Sequence, residues 1–172
     1  LIATFIEALK CENVKNSYRL ILYGNTISNE KWNQLGLSEI AEYRGWLDYS
    51  KDVSTLKDID VFLQLLDDNN VSKAGWPNKL GDYLAFGKPV ILSPYGDIID
   101  FVKNEKGFFI VEYNKYSILK ILQEIKDIPY SDLKTMGYAN RQLAEKISWK
   151  NRAKNIEYIC NKIRFNNETV KN

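Results

Sequence analysis

The sequence predicts an α/β fold in which a parallel sheet carries helices on both faces. Short apolar segments, several of them ended by glycine, alternate with segments whose apolar residues recur at helical spacing. Apolar strands separated by helices are typical of parallel sheets that are buried on both faces. The chain has 172 residues, which fits one domain with a core of its own.

The elements follow one another in alternation along most of the chain. Five strands are expected at residues 18–23, 40–44, 60–66, 89–93 and 107–111. Helices are expected at 1–11, 30–37, 53–58, 78–86, 97–103, 115–126 and 131–162, the last with a break near 147–148. We expect a single nucleotide-binding-type α/β domain over residues 1–164, closed by the C-terminal helices, and a frayed tail at 165–172. The N-terminal segment lacks the pattern of a signal peptide, and it suggests a helix already under way in a longer protein.

The composition excludes several classes of protein. Hydrophobic residues make up 45% of the chain and charged residues 27%, and no apolar run is long enough to cross a membrane. The chain has no histidine, which excludes catalysis by serine–histidine or cysteine–histidine pairs and zinc sites built on histidine within it. Cys11 and Cys160 are isolated, which favours ordinary packing roles and a cytoplasmic location.

Positive charge is concentrated in the C-terminal third. The net charge is +2, but the residues from Lys134 onward carry nine Lys or Arg and three Glu, or +6. A basic helical segment of this kind suggests peripheral contact with an anionic membrane surface, and no nucleic-acid partner is expected. The plain alternative is a solvated helix face.

The helix expected at 78–86 carries the most suggestive polar side chains. Asn78, Lys79 and Asp82 share one face, because residues three and four apart are neighbours on a helix. A lysine in the first turn opposes the helix dipole unless an anion is bound there. A carboxylate one turn later can accept hydrogen bonds from a ribose diol. The alternative is a surface ion pair between Lys79 and Asp82.

The segment "PNKLGDYLAFGKPVILSPYGDIIDFV" resembles the donor-binding core of retaining GT-B glycosyltransferases of family 4. Asp82 to Val90 matches the family's acidic-residue-to-Gly-x-Pro-Val pattern, with Gly96 and Asp100 following. Other segments match the family in the same order along the chain: "LIATFIEAL", "LILYG", "EYRGWL", "GFFIVE" and "SWKNRAKNIEYI". The resemblance implies the Rossmann-like C-terminal half of a GT-B fold.

The resemblance also implies a function and a set of binding residues. It implies transfer of a hexose from a nucleoside diphosphate sugar, with retention and without a metal or other cofactor, in bacterial polysaccharide biosynthesis. The acceptor, a glycan or lipid-linked, would be bound by an N-terminal domain that this chain does not contain, at the inner face of the membrane. The implied donor-binding residues are Gly24, Tyr43, Arg44, Gly75, Asn78, Lys79 and Asp82, with the diphosphate near Gly75, Asn78 and Lys79 and the base near Tyr43 and Arg44. No residue is assigned to catalysis.

One departure from the family pattern leaves alternatives open. The family has a second acidic residue where this sequence has Ala74, which cannot hydrogen-bond a sugar through its side chain. A glycosyltransferase-like domain without activity is therefore one alternative. A non-catalytic flavodoxin-like or receiver-type module is another, with Asp67 and Asp68 as its acidic residues.

Overall fold

The computed structural model describes residues 2–48 and 53–169, with side chains described as far as Arg164. Its strands are β1 (Leu20–Leu22), β2 (Ala41–Tyr43), β3 (Phe62–Gln64), β4 (Val90–Leu92) and β5 (Phe108–Ile110). Each lies inside one of the five predicted strands and is shorter than predicted. Several residues that flank the strands still bond across the sheet through one backbone group each, as when Leu20 N donates to the Ile40 carbonyl and Val90 N donates to the Gly107 carbonyl.

Eight α-helices and one 3₁₀ helix, Val53–Asp58, surround the strands in the described parts of the chain. The α-helices are α1 (Ile2–Leu9), α2 (Asn29–Gln34), α3 (Asn70–Ala74), α4 (Asn78–Ala85), α5 (Ile98–Val102), α6 (Lys115–Asp127), α7 (Tyr130–Lys146) and α8 (Trp149–Thr169). The predicted break near 147–148 is confirmed, since it separates α7 from α8.

The structure differs from the predicted helices in two places: one helix is longer than predicted, and one was not predicted. The predicted end at 162 is wrong, because α8 continues to Thr169, through the first residues of the segment predicted to be frayed. The helix α3 was not predicted. It has five residues and buries none of them, so it has no apolar periodicity to detect, and its visible signal is the cap by Asn69, whose side chain accepts a hydrogen bond from Ser72 N at 2.8 Å.

The strands form two parallel sheets with helices on both sides, as the predicted fold class requires. β1 pairs with β2, and β4 lies between β3 and β5. The prediction of one continuous sheet is not met among the described residues, because β1 and β3 belong to different sheets. All pairs are parallel, so the carboxyl ends of the strands lie at one edge of each sheet.

The core has two parts, one on each face of β4. The first core lies under α1 and α6 and includes Phe5, Ile6, Ile91 and Leu122. Here the Tyr18 hydroxyl donates a hydrogen bond to the carbonyl of Leu122, and burial raises the pKa of that hydroxyl to about 12. The second core lies under α4, α5 and α7 and includes Leu80, Leu84, Val90, Leu92, Ile98 and Leu143.

A close contact between α7 and the segment before β4 fixes the amino-terminal edge of the larger sheet. A Cβ atom on Gly137 would lie 2.1 Å from the carbonyl oxygen of Gly87, so no larger residue fits there without displacing backbone. One turn later the buried Asn140 donates hydrogen bonds of 2.9 Å from Nδ2 to the carbonyls of Lys88 and Gly107. These bonds join α7 to the segments that lead into β4 and β5.

Candidate functional site

The segments that follow the strands meet at the carboxyl edge, where open parallel sheets bind their ligands. Gly24 follows β1, Gly45 follows β2, and Gly96 lies in the loop after β4. Gly96 has a φ of +89°, and a Cβ there would lie 3.0 Å from the carbonyl oxygen of Ser72. Glycine at this position therefore lets the loop after β4 pack against the end of α3.

Gly24 and Tyr43, two of the predicted binding residues, are brought together by hydrogen bonds after β1 and β2. The Tyr43 hydroxyl donates a 2.8 Å hydrogen bond to the Gly24 carbonyl, and Gly24 N donates to the carbonyl of Gly45 at 2.9 Å. Gly24 has a φ of +138°, and no atom lies within 4 Å of a Cβ placed there. The turn after β1 thus leaves open space beside a tyrosine that is held in place.

The side chain of Arg44, the residue after Tyr43, belongs to a charged cluster with Glu42 and Arg19. Its Nε donates to Glu42 Oε1 at 2.8 Å, and Arg19 forms a second ion pair with Glu42. Arg44 Nη1 also donates to the Tyr23 hydroxyl at 3.3 Å, which in turn donates to Thr55 Oγ1 at 3.0 Å. The hydrogen bond from Arg44 lowers the pKa of the Glu42 carboxyl and raises the pKa of the guanidinium. The side chains of Arg44 and Tyr43 thus have different hydrogen-bond partners, Glu42 and Tyr23 for Arg44 and the Gly24 carbonyl for Tyr43.

The exposed face of α4 carries the three side chains that the sequence placed together. Leu80 and Leu84 are fully buried, so Asn78, Lys79 and Asp82 face solvent. Pro77 at the N-cap provides no side-chain acceptor for the first-turn N–H groups. No ion pair joins Lys79 to Asp82 in the part of the chain that the structure describes.

The loop before α4, residues 75–77, is held by aromatic and cationic contacts. The ring of Trp76 packs edge-on against Phe101 of α5, with centroids 5.2 Å apart. The guanidinium of Arg152, from the first turn of α8, lies 5.8 Å from the Trp76 ring and 5.6 Å from the Trp149 ring. Gly75 is exposed beside this stack. The Trp76–Arg152 contact was not predicted, because the two residues lie far apart in the chain and no local pattern marks them.

Ala74, which stands where the family pattern has a second acidic residue, lies at the end of α3. Ala74 is the last residue of that helix and is exposed. The nearby Asp68 is engaged by Lys73 in an ion pair of 2.5 Å. One further polar residue of this edge was missed by the sequence analysis: the fully buried Ser93, whose Oγ accepts a 2.8 Å hydrogen bond from Leu66 N. That bond ties the carboxyl ends of β3 and β4 together.

Two kinds of feature are not found within the described ranges. No group of three or more acidic residues or cysteines is placed to hold a metal ion. No described helix combines the length and apolarity needed to cross a membrane.

Two solved structures superpose on most of this chain and share its fold. The sucrose-phosphate synthase of Thermosynechococcus elongatus superposes with a TM-score of 0.71 at 16% identity, over 94% of this chain and 42% of that one. HepE of Anabaena, solved in complex with UDP and glucose, superposes with a TM-score of 0.62 at 16% identity, over 83% of this chain and 39% of that one. The chain thus spans about two fifths of the length of these neighbours. No curated protein matches it by sequence.

The family is decided by the sequence match rather than by these superpositions. Residues 2–143 match the family described as glycosyl transferases group 1, which covers α1 to most of α7, including the whole carboxyl edge. A receiver-type or flavodoxin-like module would not carry this match. The chain therefore belongs to the glycosyl transferases group 1 family.

Proposed function

We propose that this chain is the C-terminal, donor-binding domain of a retaining GT-B glycosyltransferase, and that it binds a nucleoside diphosphate sugar at the carboxyl edge. The observation that carries the proposal is the exposed start of α4, where Lys79 and uncapped N–H groups lie one turn from Asp82. The family match supports a nucleoside diphosphate sugar as the ligand, and so does the structure of HepE, which was solved in complex with UDP and glucose.

The diphosphate is assigned to the first turn of α4. A cation in the first turn is unfavourable on its own, because the helix N-terminus already carries partial positive charge. A bound diphosphate reverses this, since N–H groups and the ammonium then both face negative charge. Asn78 and the exposed Gly75 border the same turn. The reaction would benefit because charge on the departing diphosphate meets donors that are already oriented.

The nucleoside is assigned to Asp82 and to the space beside Gly24. The exposed carboxylate of Asp82 has no described ion-pair partner, so it is available to both hydroxyls of a ribose diol. Gly24 leaves open space next to the fixed Tyr43 ring, which suits the flat face of a base. Arg44, engaged by Glu42, is assigned a supporting role at the same end of β2.

We infer a hexose as the transferred group and a glycan or lipid-linked molecule as the acceptor, bound by a domain outside this chain, with no metal required. Ala74 at the end of α3 presents a methyl group where the family pattern has a carboxylate, so donor-sugar recognition there would need a different residue. An inactive domain would bind the nucleotide and transfer nothing.

We infer that α8 makes peripheral contact with the inner face of a membrane. Trp149, Ile156, Ile159 and Ile163 form one exposed stripe along this helix, while lysines lie on its other faces. An amphipathic helix with a basic polar side is suited to an anionic lipid surface.

Calorimetry on the full natural polypeptide tests the donor site. We expect UDP, GDP or ADP to bind, and we expect EDTA to leave the affinity unchanged. Loss of binding on chelation would refute the metal-free assignment, and failure of all three nucleotides would refute the site. A transfer assay with the bound sugar nucleotide and an acceptor then distinguishes the two alternatives: an active enzyme transfers the sugar, and an inactive domain does not.

Asp82→Asn keeps the shape of the side chain and removes its charge. A hydrogen bond to a charged group contributes about 1.5–3 kcal/mol, so nucleotide affinity should fall about ten- to 150-fold. The melting temperature should change little, because Asp82 is exposed and contributes no ion pair to Lys79. A 2′,3′-dideoxy nucleotide should bind the wild type weakly and be indifferent to the substitution. Equal binding of the dideoxy and parent nucleotides by the wild type contradicts the ribose assignment.

Lys79→Ala should weaken nucleoside diphosphates about twofold to fivefold and leave nucleosides unaffected, because an exposed charge pair contributes up to about 1 kcal/mol. The difference from the wild type should shrink as salt is raised. Lys106→Ala is the matched control, since Lys106 is also exposed but precedes β5 at the opposite edge. A similar loss for nucleosides, or for the control, would exclude a diphosphate contact at Lys79.

Sedimentation with vesicles tests the role of α8. The full polypeptide should bind vesicles with anionic lipid, and Ile156→Asn with Ile159→Asn should reduce binding about tenfold or more, because each buried isoleucine contributes about 1.5–3 kcal/mol. Tyr158→Asn is the control, since Tyr158 is exposed on the opposite side of the helix. If the double variant binds vesicles normally but unfolds at lower temperature, the stripe packs against protein instead.

A further inference from the structure

The loop before α4, residues 75–77, is anchored through the side chain of Trp76. Within the described ranges, no backbone hydrogen bond joins Gly75 or Trp76 to another element. The Trp76 ring instead contacts Phe101 of α5 at a centroid distance of 5.2 Å and the guanidinium of Arg152 at 5.8 Å. The ring is 39% exposed, so its neighbours cover it only in part. The position of this loop therefore depends on side-chain contacts rather than on backbone hydrogen bonds.

Arg152 is held in place independently of Trp76. Its Nε donates a 3.1 Å hydrogen bond to the carbonyl of Ile147, the residue that caps the end of α7. The ring of Trp149 lies 5.6 Å from the same guanidinium. The preceding residue, Asn151, donates from Nδ2 to the Glu145 carbonyl at 2.7 Å. Because donors of α8 occupy carbonyls at the end of α7, the guanidinium is already oriented where it meets Trp76.

The rest of α4 is fixed by other contacts. Leu80 and Leu84 are fully buried in the second core. At the carboxyl end of the helix, Arg141 of α7 donates from Nη1 to the Ala85 carbonyl at 2.5 Å. The helix therefore keeps its place without Arg152, and loss of Arg152 would release only the loop that leads into its first turn.

We propose that Arg152 is a positioning residue for the donor and that it acts through the Trp76 ring. By holding Trp76, it keeps Gly75 and the first-turn N–H groups of α4 in the arrangement that binds a diphosphate. A guanidinium suits this role, because it can lie against an aromatic face while its Nε donor stays bound to the Ile147 carbonyl. The role rests on the proposed donor site, and it adds to that site a residue of α8, a helix that carries none of the predicted binding residues.

The contact itself is tested without nucleotide, by NMR of the indole N–H of Trp76 in the full natural polypeptide. The signal is assigned by its loss in Trp76→Phe. Arg152→Ala should shift this signal, because the cation beside the ring is removed. An unshifted signal in Arg152→Ala would overturn the proposal.

Lys150→Ala is the matched control for the removal of a charge. Lys150 is an exposed cation in the same turn of α8, and none of the ion pairs in the described part of the chain includes it. Residues two apart on a helix point to different faces, so Lys150 does not share the contact with Trp76. This variant should leave the indole signal and the nucleotide affinity unchanged.

Calorimetry with UDP, GDP and ADP tests the function of the contact through a double-mutant cycle. Arg152→Ala should weaken the nucleotide that the wild type binds about twofold to fivefold, as expected for loss of an exposed cation–π contact. In a Trp76→Leu background the same substitution should have no further effect, because the arginine has no ring to hold. An equal loss in both backgrounds means that Arg152 acts on the nucleotide without Trp76. A matching loss for Lys150→Ala means that the charge of α8 acts at a distance, and either result overturns the proposal.

These measurements separate the positioning role from the donor site on which it rests. If the wild type binds none of the three nucleotides, the donor site is refuted and the positioning role falls with it, whatever the indole signal shows. If the wild type binds a nucleotide and Arg152→Ala binds it equally well, the donor site stands and the positioning role is wrong.

Discussion

The two faces of β4 hold the two parts of the core together. Ile91 contributes to the core under α1 and α6, while Val90 and Leu92 contribute to the core under α4, α5 and α7. Burial of each of these side chains contributes up to about 1.5–3 kcal/mol, and the ladders to β3 and β5 fix the strand between them. Because both cores need β4 in one register, the loops at its two ends are fixed as well.

The candidate site depends on that register. The carboxyl end of β4 holds the end of β3 through Ser93, and its following loop packs on α3 at Gly96. These contacts position the chain that leads through Trp76 into α4. The exposed face of α4 is then determined by the burial of Leu80 and Leu84 in the second core. Asn78, Lys79 and Asp82 are exposed because the opposite side of their helix is needed for packing.

Local patterns were enough to predict the fold class, the five strands and the shared face of α4. Apolar runs ended by glycine mark β1 and β2, and Gly87 with Pro89 marks the end of α4. Two features depend on long-range contacts that no local pattern encodes: the separation of β1 from β3 and the Trp76–Arg152 stack. The ion pair between Arg44 and Glu42 is local, since the two residues are two apart at the end of β2, but it was not predicted. The short helix α3 was missed because it buries nothing. The grouping of Asn78, Lys79 and Asp82 needed only helical spacing, whereas their proposed roles needed the family resemblance.

The glycine at position 137 has a consequence for any attempt to redesign this chain. A glycine inside an exposed helix is normally a weak point, and alanine there improves helix stability by roughly 0.5–1 kcal/mol. In α7 the same replacement would press a methyl group into the Gly87 carbonyl, which would push α7 away from α4 and stretch both bonds of Asn140. A stabilisation strategy that ranks positions by helix propensity would therefore select Gly137 early and loosen the joint between these helices.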